Sequence, residues 1–166
     1  MGGFQMQMVA RGILVYEMTD DALITGLVGL GFAPSLLVVS LYGGVLGDRL
    51  ERRMLIQVSQ AANAALAGVV GVLLFTENLA WGHLFAVSVA QGAMFALQMP
   101  ARQAAIPSLV GKDQLPNAFA LNAMAMSMMT LIAPALAGVL YEEIGPENVY
   151  VVVCVVMLIA VIFTSV

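Results

Sequence analysis

Charge is what this 166-residue chain has least of: aspartate, glutamate, lysine and arginine make up only 10% of it, against about 25% in a typical soluble domain. With 61% hydrophobic residues and a mean hydropathy of +0.98, the chain reads as an integral membrane protein. Cys154 is the single cysteine and His83 the single histidine. That excludes an internal disulfide and any cysteine- or histidine-rich metal site. Six basic residues against ten acidic ones leave no basic stripe for nucleic acid. Phosphate-binding loops, zinc spacings and nucleophile–base sets are missing too, so the sequence calls for no metal and no cofactor and does not read as an enzyme. The stretch from Met1 to Tyr16 holds Gln5, Gln7 and Arg11 and no small-residue cleavage site, and it does not read as a signal peptide.

Long apolar runs fill the space that charge leaves. Hydropathy predicts spans at 23–46, 54–76, 79–99, 117–141 and 149–166, preceded by a shorter one at 4–16. A run of about 20 apolar residues is enough to cross a bilayer core as a helix. The first run would cover only roughly 20 Å of a core about 30 Å thick, and the last is still apolar at Val166. Both ends therefore read as cut, with the first helix truncated. The expected fold is a single all-α transmembrane domain over residues 1–166. Links after the first, third and fifth spans carry Glu17, Asp20, Asp21, Glu77, Glu142, Glu143 and Glu147, whereas links after the second and fourth carry Arg49, Arg52, Arg53, Arg102 and Lys112. Basic loops stay in the cytoplasm, which predicts a multi-pass protein of the plasma (inner) membrane with its N-terminus inside.

The ten residues between the second and third spans are the most informative. Gly44-Val-Leu-Gly-Asp48-Arg49-Leu-Glu51-Arg52-Arg53 has the pattern G-x-L-x-D-R-x-x-R-R, which resembles the loop signature of the major facilitator superfamily. Glu51 stands where the usual form has glycine, which is similar to the exporter branch that includes enterobactin-type and macrolide-type efflux proteins. The runs Pro100-Ala-Arg-Gln-Ala-Ala-Ile-Pro107-Ser-Leu-Val and Leu115-Pro-Asn117-Ala-Phe-Ala-Leu121-Asn122 resemble the link between the fourth and fifth spans of that branch.

The resemblance implies the N-terminal six-helix half-bundle of a major facilitator transporter. Its function would be secondary active efflux of a small siderophore or drug-like molecule by alternating access, two halves rocking about a midplane site. The implied partners are the lipid bilayer, the small-molecule substrate, and a missing C-terminal six-helix half or a second copy. Gly44, Asp48, Arg49, Arg52 and Arg53 would form a conformational latch, with Arg102 as its partner. Two other readings fit the same residues: a half-size membrane protein acting as a dimer, and a membrane interaction partner that does not transport.

Other residues are singled out by physical chemistry. Arg11 is the one base inside a span, where a charge costs at least about 2.5–3.5 kcal/mol and usually faces a partner or a cavity. Arg11, Gln7 and Asn122 are the candidates for a substrate or proton path, and the N-terminal segment is expected to pack against the fifth or sixth span. Pro34 and Pro134 fall inside spans and should bend them. Gln91-Gly92-Ala93 resembles a second family motif, but Ser88 stands where that motif has its arginine, so the arginine's proton-coupling role does not transfer. Residues 133–138 resemble the Gly-Pro motif of antiporters with alanine replacing glycine at 133 and 137. Pairs such as Gly92 with Ala96 and Ala133 with Ala137 suit close helix packing.

Overall fold

In the membrane core no water is available to satisfy backbone groups, so a spanning chain must pair them internally as helix. The computed structural model is helical accordingly. It describes residues 2–49 and 51–165, and the side chains of these except at positions 42–49, 52 and 165. The helices are α1 (Gly2–Thr19), α2 (Ala22–Leu30), α3 (Phe32–Arg49), α4 (Arg52–Phe75), α5 (Trp81–Leu109) and α6 (Leu115–Ser165), with a 3₁₀ turn at Lys112–Gln114. Among the described residues, four stretches are long and apolar enough to cross a membrane: 22–41, 53–75, 81–109 and 112–164.

The first helix is longer than hydropathy suggests. Its 18 residues give about 27 Å at ~1.5 Å per residue, against the shorter 4–16 expected. Gln5, Gln7, Arg11 and Glu17 lower its apolar average, yet Gln7 and Arg11 are buried within the bundle. Composition alone therefore understates a helix whose polar face is turned inward.

The second run passes through a turn at Gly31, between α2 and α3, where the backbone keeps helical angles (φ −54°, ψ −25°) and residues 22–41 remain one span. Pro34 lies three residues later, and its ring and missing N–H act on the turn before it. Asp21 caps the start of α2, its carboxylate accepting from the Leu23 amide at 2.7 Å. Helical geometry runs unbroken through Pro134; the break in α6 comes at Gly145, whose φ of 79° and ψ of 162° lie outside the helical region. Gly145 divides α6 into two arms.

Contacts along α1 show how the arms run. Met129 approaches Gly2, Gln5 donates to Thr130, and the Tyr141 hydroxyl donates to Glu17 at 2.6 Å. The first arm thus lies parallel to α1. Met157 and the Val153 carbonyl oxygen lie at Gly3, at the opposite end of α1 from the Tyr141–Glu17 contact that precedes Gly145, so the second arm runs the opposite way. Gly145 is the turn of a helical hairpin. Its conformation is one that essentially only glycine adopts, and a Cβ there would also stand 3.0 Å from the Glu147 carboxylate. Gly145→Ala should cost about 1–3 kcal/mol, whereas Gly138→Ala, where a Cβ meets nothing within 4 Å, should leave stability unchanged or raise it by up to about 1 kcal/mol. Thermal melts of the two variants in micelles check this, and equal melting points would refute it.

α1 occupies the middle of the bundle. Met6, Ala10 and Leu14 from α1 share one core with Ala64, Ala67 and Val70 of α4, Leu84 and Val87 of α5, and Ala133, Ala137, Val149 and Val153 of α6. The small residues at 133 and 137 are buried at this contact, which brings the helices close. Large apolar side chains such as Leu23, Leu41, Leu131 and Phe163 cover the outside. Such a surface suits a bilayer rather than water.

Candidate functional site

A polar node crosses the apolar core at the middle of α1. Gln7 and Arg11, spaced i and i+4, lie on one face of the helix. Arg11 is only 3% exposed. Its Nη1 donates to Gln91 Oε1 of α5 at 2.5 Å, and Gln91 Nε2 donates in turn to Gln7 Oε1 at 2.6 Å. Gln7 and Gln91 are fully buried. No carboxylate joins this chain of hydrogen bonds, so a cation is held in the core by the dipole of a neutral amide.

Ser88 lies one turn before Gln91 and is also buried. This is the position at which the resembled motif would place an arginine. Here the guanidinium reaches the same face of α5 from α1 instead. Tyr150, from the second arm of α6, is fully buried and faces Gly71 of α4. Gln7 Nε2 and Ser88 Oγ in this group have no hydrogen-bond partner, nor has the buried Tyr150 Oη on the second arm of α6. Buried donors ordinarily find partners. The node therefore has a surplus of donors over acceptors.

On the side toward the start of α1, Phe4 stacks on Phe95 with ring centroids 5.3 Å apart, and Phe32 of α3 meets both at 5.8 and 5.5 Å. Beside Phe4 lies a cavity of about 190 Å³, whose lining includes Gln60, Asn63, Gln98, Met129 and Met157. The Asn63 carbonyl oxygen is buried without a donor. Gly92, one residue after Gln91, lets α3 and α5 touch: a Cβ there would collide with the Phe32 carbonyl oxygen and the Ser35 hydroxyl.

The other candidates sit elsewhere. Asn122 lies in the first arm, its side-chain amide donating to the Met126 sulfur at 3.7 Å within the same helix. The Gly44, Asp48, Arg49 and Arg52 side chains, and with them the geometry of the loop latch, lie outside the described residues. Arg102 is half-buried near the end of α5. Arg53 is described: its Nε donates to the Thr164 carbonyl oxygen at 3.1 Å, where Gln57 also donates at 2.9 Å. The Thr164 hydroxyl donates to Gln60 at 3.0 Å. This clamp ties the basic end of α4 to the end of the second α6 arm. Cations are stabilising at a helix C-terminus, where unpaired carbonyls project. Sequence reading missed Tyr150 and Thr164, since neither stands in a recognisable pattern.

Comparison with known proteins places these features in context. The family described as "Transmembrane secretion effector" matches residues 1–165. Among curated proteins, the chain is 29% identical over 140 residues to a multi-drug resistance efflux pump PmrA homolog of Lactococcus lactis, covering 82% of this chain and 33% of that protein. It is 28% identical over 139 residues to the enterobactin exporter EntS of Citrobacter koseri, with 82% and 33% covered. It is 22% identical over 121 residues to the staphyloferrin A transporter of Staphylococcus aureus, with 72% and 30% covered. The chain spans about a third of the length of each of these relatives.

Proposed function

The chain belongs to the transmembrane secretion effector family of the major facilitator superfamily, and from that membership we propose that it forms the N-terminal six-helix half of an exporter that works by alternating access. The match over residues 1–165 is the observation that carries the reading. Packing supports it. If α2 with α3 makes one crossing and each arm of α6 makes one, the chain crosses six times, with α1 and the first arm running together and the second arm against them. Arg53, Arg102 and Lys112 then gather at one end and Glu17, Glu77 and Glu142 at the other, so the arginine-rich end is cytoplasmic by the positive-inside rule. A second six-helix half, on another stretch of the same protein or another copy, completes the central cavity. The cargo is a small siderophore or drug-like molecule, as the relatives' names suggest for their own substrates.

Expression of the full reading frame in a pump-deficient bacterium tests this. Accumulation of ethidium and of a catecholate siderophore should fall relative to an empty vector. Unchanged accumulation of both, with the protein present in the membrane, would sink the export reading.

The latch belongs to the same proposal: Asp48 with Arg49, Arg52 and Arg53 holds the cytoplasmic side closed against Arg102. Asp48→Asn and Arg102→Gln should each lower export by roughly tenfold, the size of a typical bias between two conformations. The double variant should be no worse than either single one, because both remove one interaction. Additive losses would separate the two residues.

A further inference from the structure

We infer that the cavity beside Phe4 is a binding site for a small neutral heterocycle with an N–H and a carbonyl side by side, a cyclic amide. Taking that ligand for cargo rests on the export reading; its binding does not.

The wall of the cavity supplies the chemistry. Three carboxamides line it, from Gln60 and Asn63 of α4 and Gln98 of α5, and among the described residues no charged side chain does. All three have hydrogen-bonding capacity to spare. Asn63 is 5% exposed; its Nδ2 donates to the Ser59 carbonyl oxygen at 2.8 Å, while its Oδ1 meets no donor. Buried acceptors ordinarily find one. Gln60 Oε1 accepts from the Thr164 hydroxyl at 3.0 Å, and its amide N–H groups are left over. Gln98 is half-buried, and its amide has no partner among the described residues.

The wall therefore offers acceptors at Asn63 and Gln98 and donors at Gln60 and Gln98. A cyclic amide carries both complements on one edge and can pair with a carboxamide through two parallel hydrogen bonds. A carboxylate or an ammonium would give up its hydration and find no counter-charge. A plain hydrocarbon ring would leave Asn63 Oδ1 as it is.

Size and apolar contact fix the rest. The volume of about 190 Å³ exceeds the roughly 150 Å³ cavity known to hold a benzene ring. Phe4, Met129 and Met157 form the apolar part of the wall, and methionine adapts to varied shapes, which suits one ring or two fused rings. Gln98 stands four residues before Arg102 and Gln60 seven after Arg53, so the cavity lies toward the arginine-rich end of the bundle. Cargo arriving from the cytoplasm would meet that end first.

The probe is 2-quinolinone, added to the full-length protein in nanodiscs and followed by calorimetric titration and thermal melting. Coumarin has the same shape and carbonyl with oxygen in place of the N–H, and quinoline-2-carboxylate brings a charge. 2-Quinolinone should bind and raise the melting temperature. Coumarin should bind roughly fivefold more weakly, the worth of one hydrogen bond, and the carboxylate at least about tenfold more weakly. Gln98→Leu and Asn63→Leu should each weaken 2-quinolinone binding roughly fivefold, and the double variant should bind it no better than coumarin. Gln98 has no bond to lose, and the Ser59 carbonyl lies inside α4 with its helical partner, so unliganded melting should be unchanged or raised. Ala160→Leu, which places a larger side chain in the wall, should abolish binding.

Equal affinity for 2-quinolinone and coumarin would overturn the inference, as would tighter binding of the carboxylate. Full affinity in Ala160→Leu would put the ligand elsewhere and overturn it too, and so would no binding at all. Binding with the expected preferences alongside unchanged ethidium and siderophore accumulation in cells would support this site while removing the export reading.

Discussion

Gln91→Leu should destabilise the folded bundle by at least about 2.5–3.5 kcal/mol, the insertion-scale cost of an arginine without compensation in the membrane. Among the described residues Gln91 is the acceptor that the Arg11 guanidinium meets, and both side chains are almost wholly buried. A neutral hydrogen bond between membrane helices averages only about 0.6 kcal/mol, so losing the Gln91–Gln7 bond alone would pass nearly unnoticed. The charge decides the outcome. Removing one partner strands a buried cation, whereas removing both leaves an apolar contact, and that is often neutral or stabilising. Arg11→Leu combined with Gln91→Leu should therefore recover most of the lost stability. Denaturant titration in micelles for the two singles and the double gives the coupling directly. A Gln91→Leu protein within about 0.5 kcal/mol of the parent, the usual range for surface changes, would mean that Arg11 does not depend on this bond.

The sequence carried the class, the family resemblance and the need of Arg11 for a polar neighbour inside the bundle, and each for a physical reason. A charge in an apolar span must find company, and α1 does pack along both arms of α6, with Arg11 bonded to Gln91. The identity of that company was only half visible. Gln91 stood out as part of a motif, but Gln7 and Gln91 meet across 84 positions, and no local pattern marks a contact at that distance. Tyr150 and Thr164 were hidden for the same reason. Asn122 was singled out because it is polar, and here its side-chain amide meets the Met126 sulfur of its own helix. Hydropathy undersized α1 because it averages the face turned to the core with the face turned outward.

Gly92→Ala should cost about 1–3 kcal/mol, the range for an added methyl in a packed core, and Gly92→Leu should prevent folding. Gly92 is where α3 and α5 come closest: a Cβ there collides with the Phe32 carbonyl oxygen, a backbone atom that cannot rotate away, and with the Ser35 hydroxyl. Gly31 next to Phe85 adds a second tight point, at 2.9 Å from a new Cβ. Gly82 in the same α5 has nothing within 4 Å, so Gly82→Ala separates the collision from the change in helix propensity. Ser35→Gly in the Gly92→Ala background removes the hydroxyl but not the carbonyl, and should restore less than half of the loss. Full recovery would place the clash on the serine side chain and dismiss the backbone contact. The consequence extends to the polar node, because Gly92 directly follows Gln91. Whatever pushes α5 away from α3 also moves the amide that holds Arg11, so part of the Gly92→Ala loss should disappear in the Arg11→Leu, Gln91→Leu background, where that bond no longer exists.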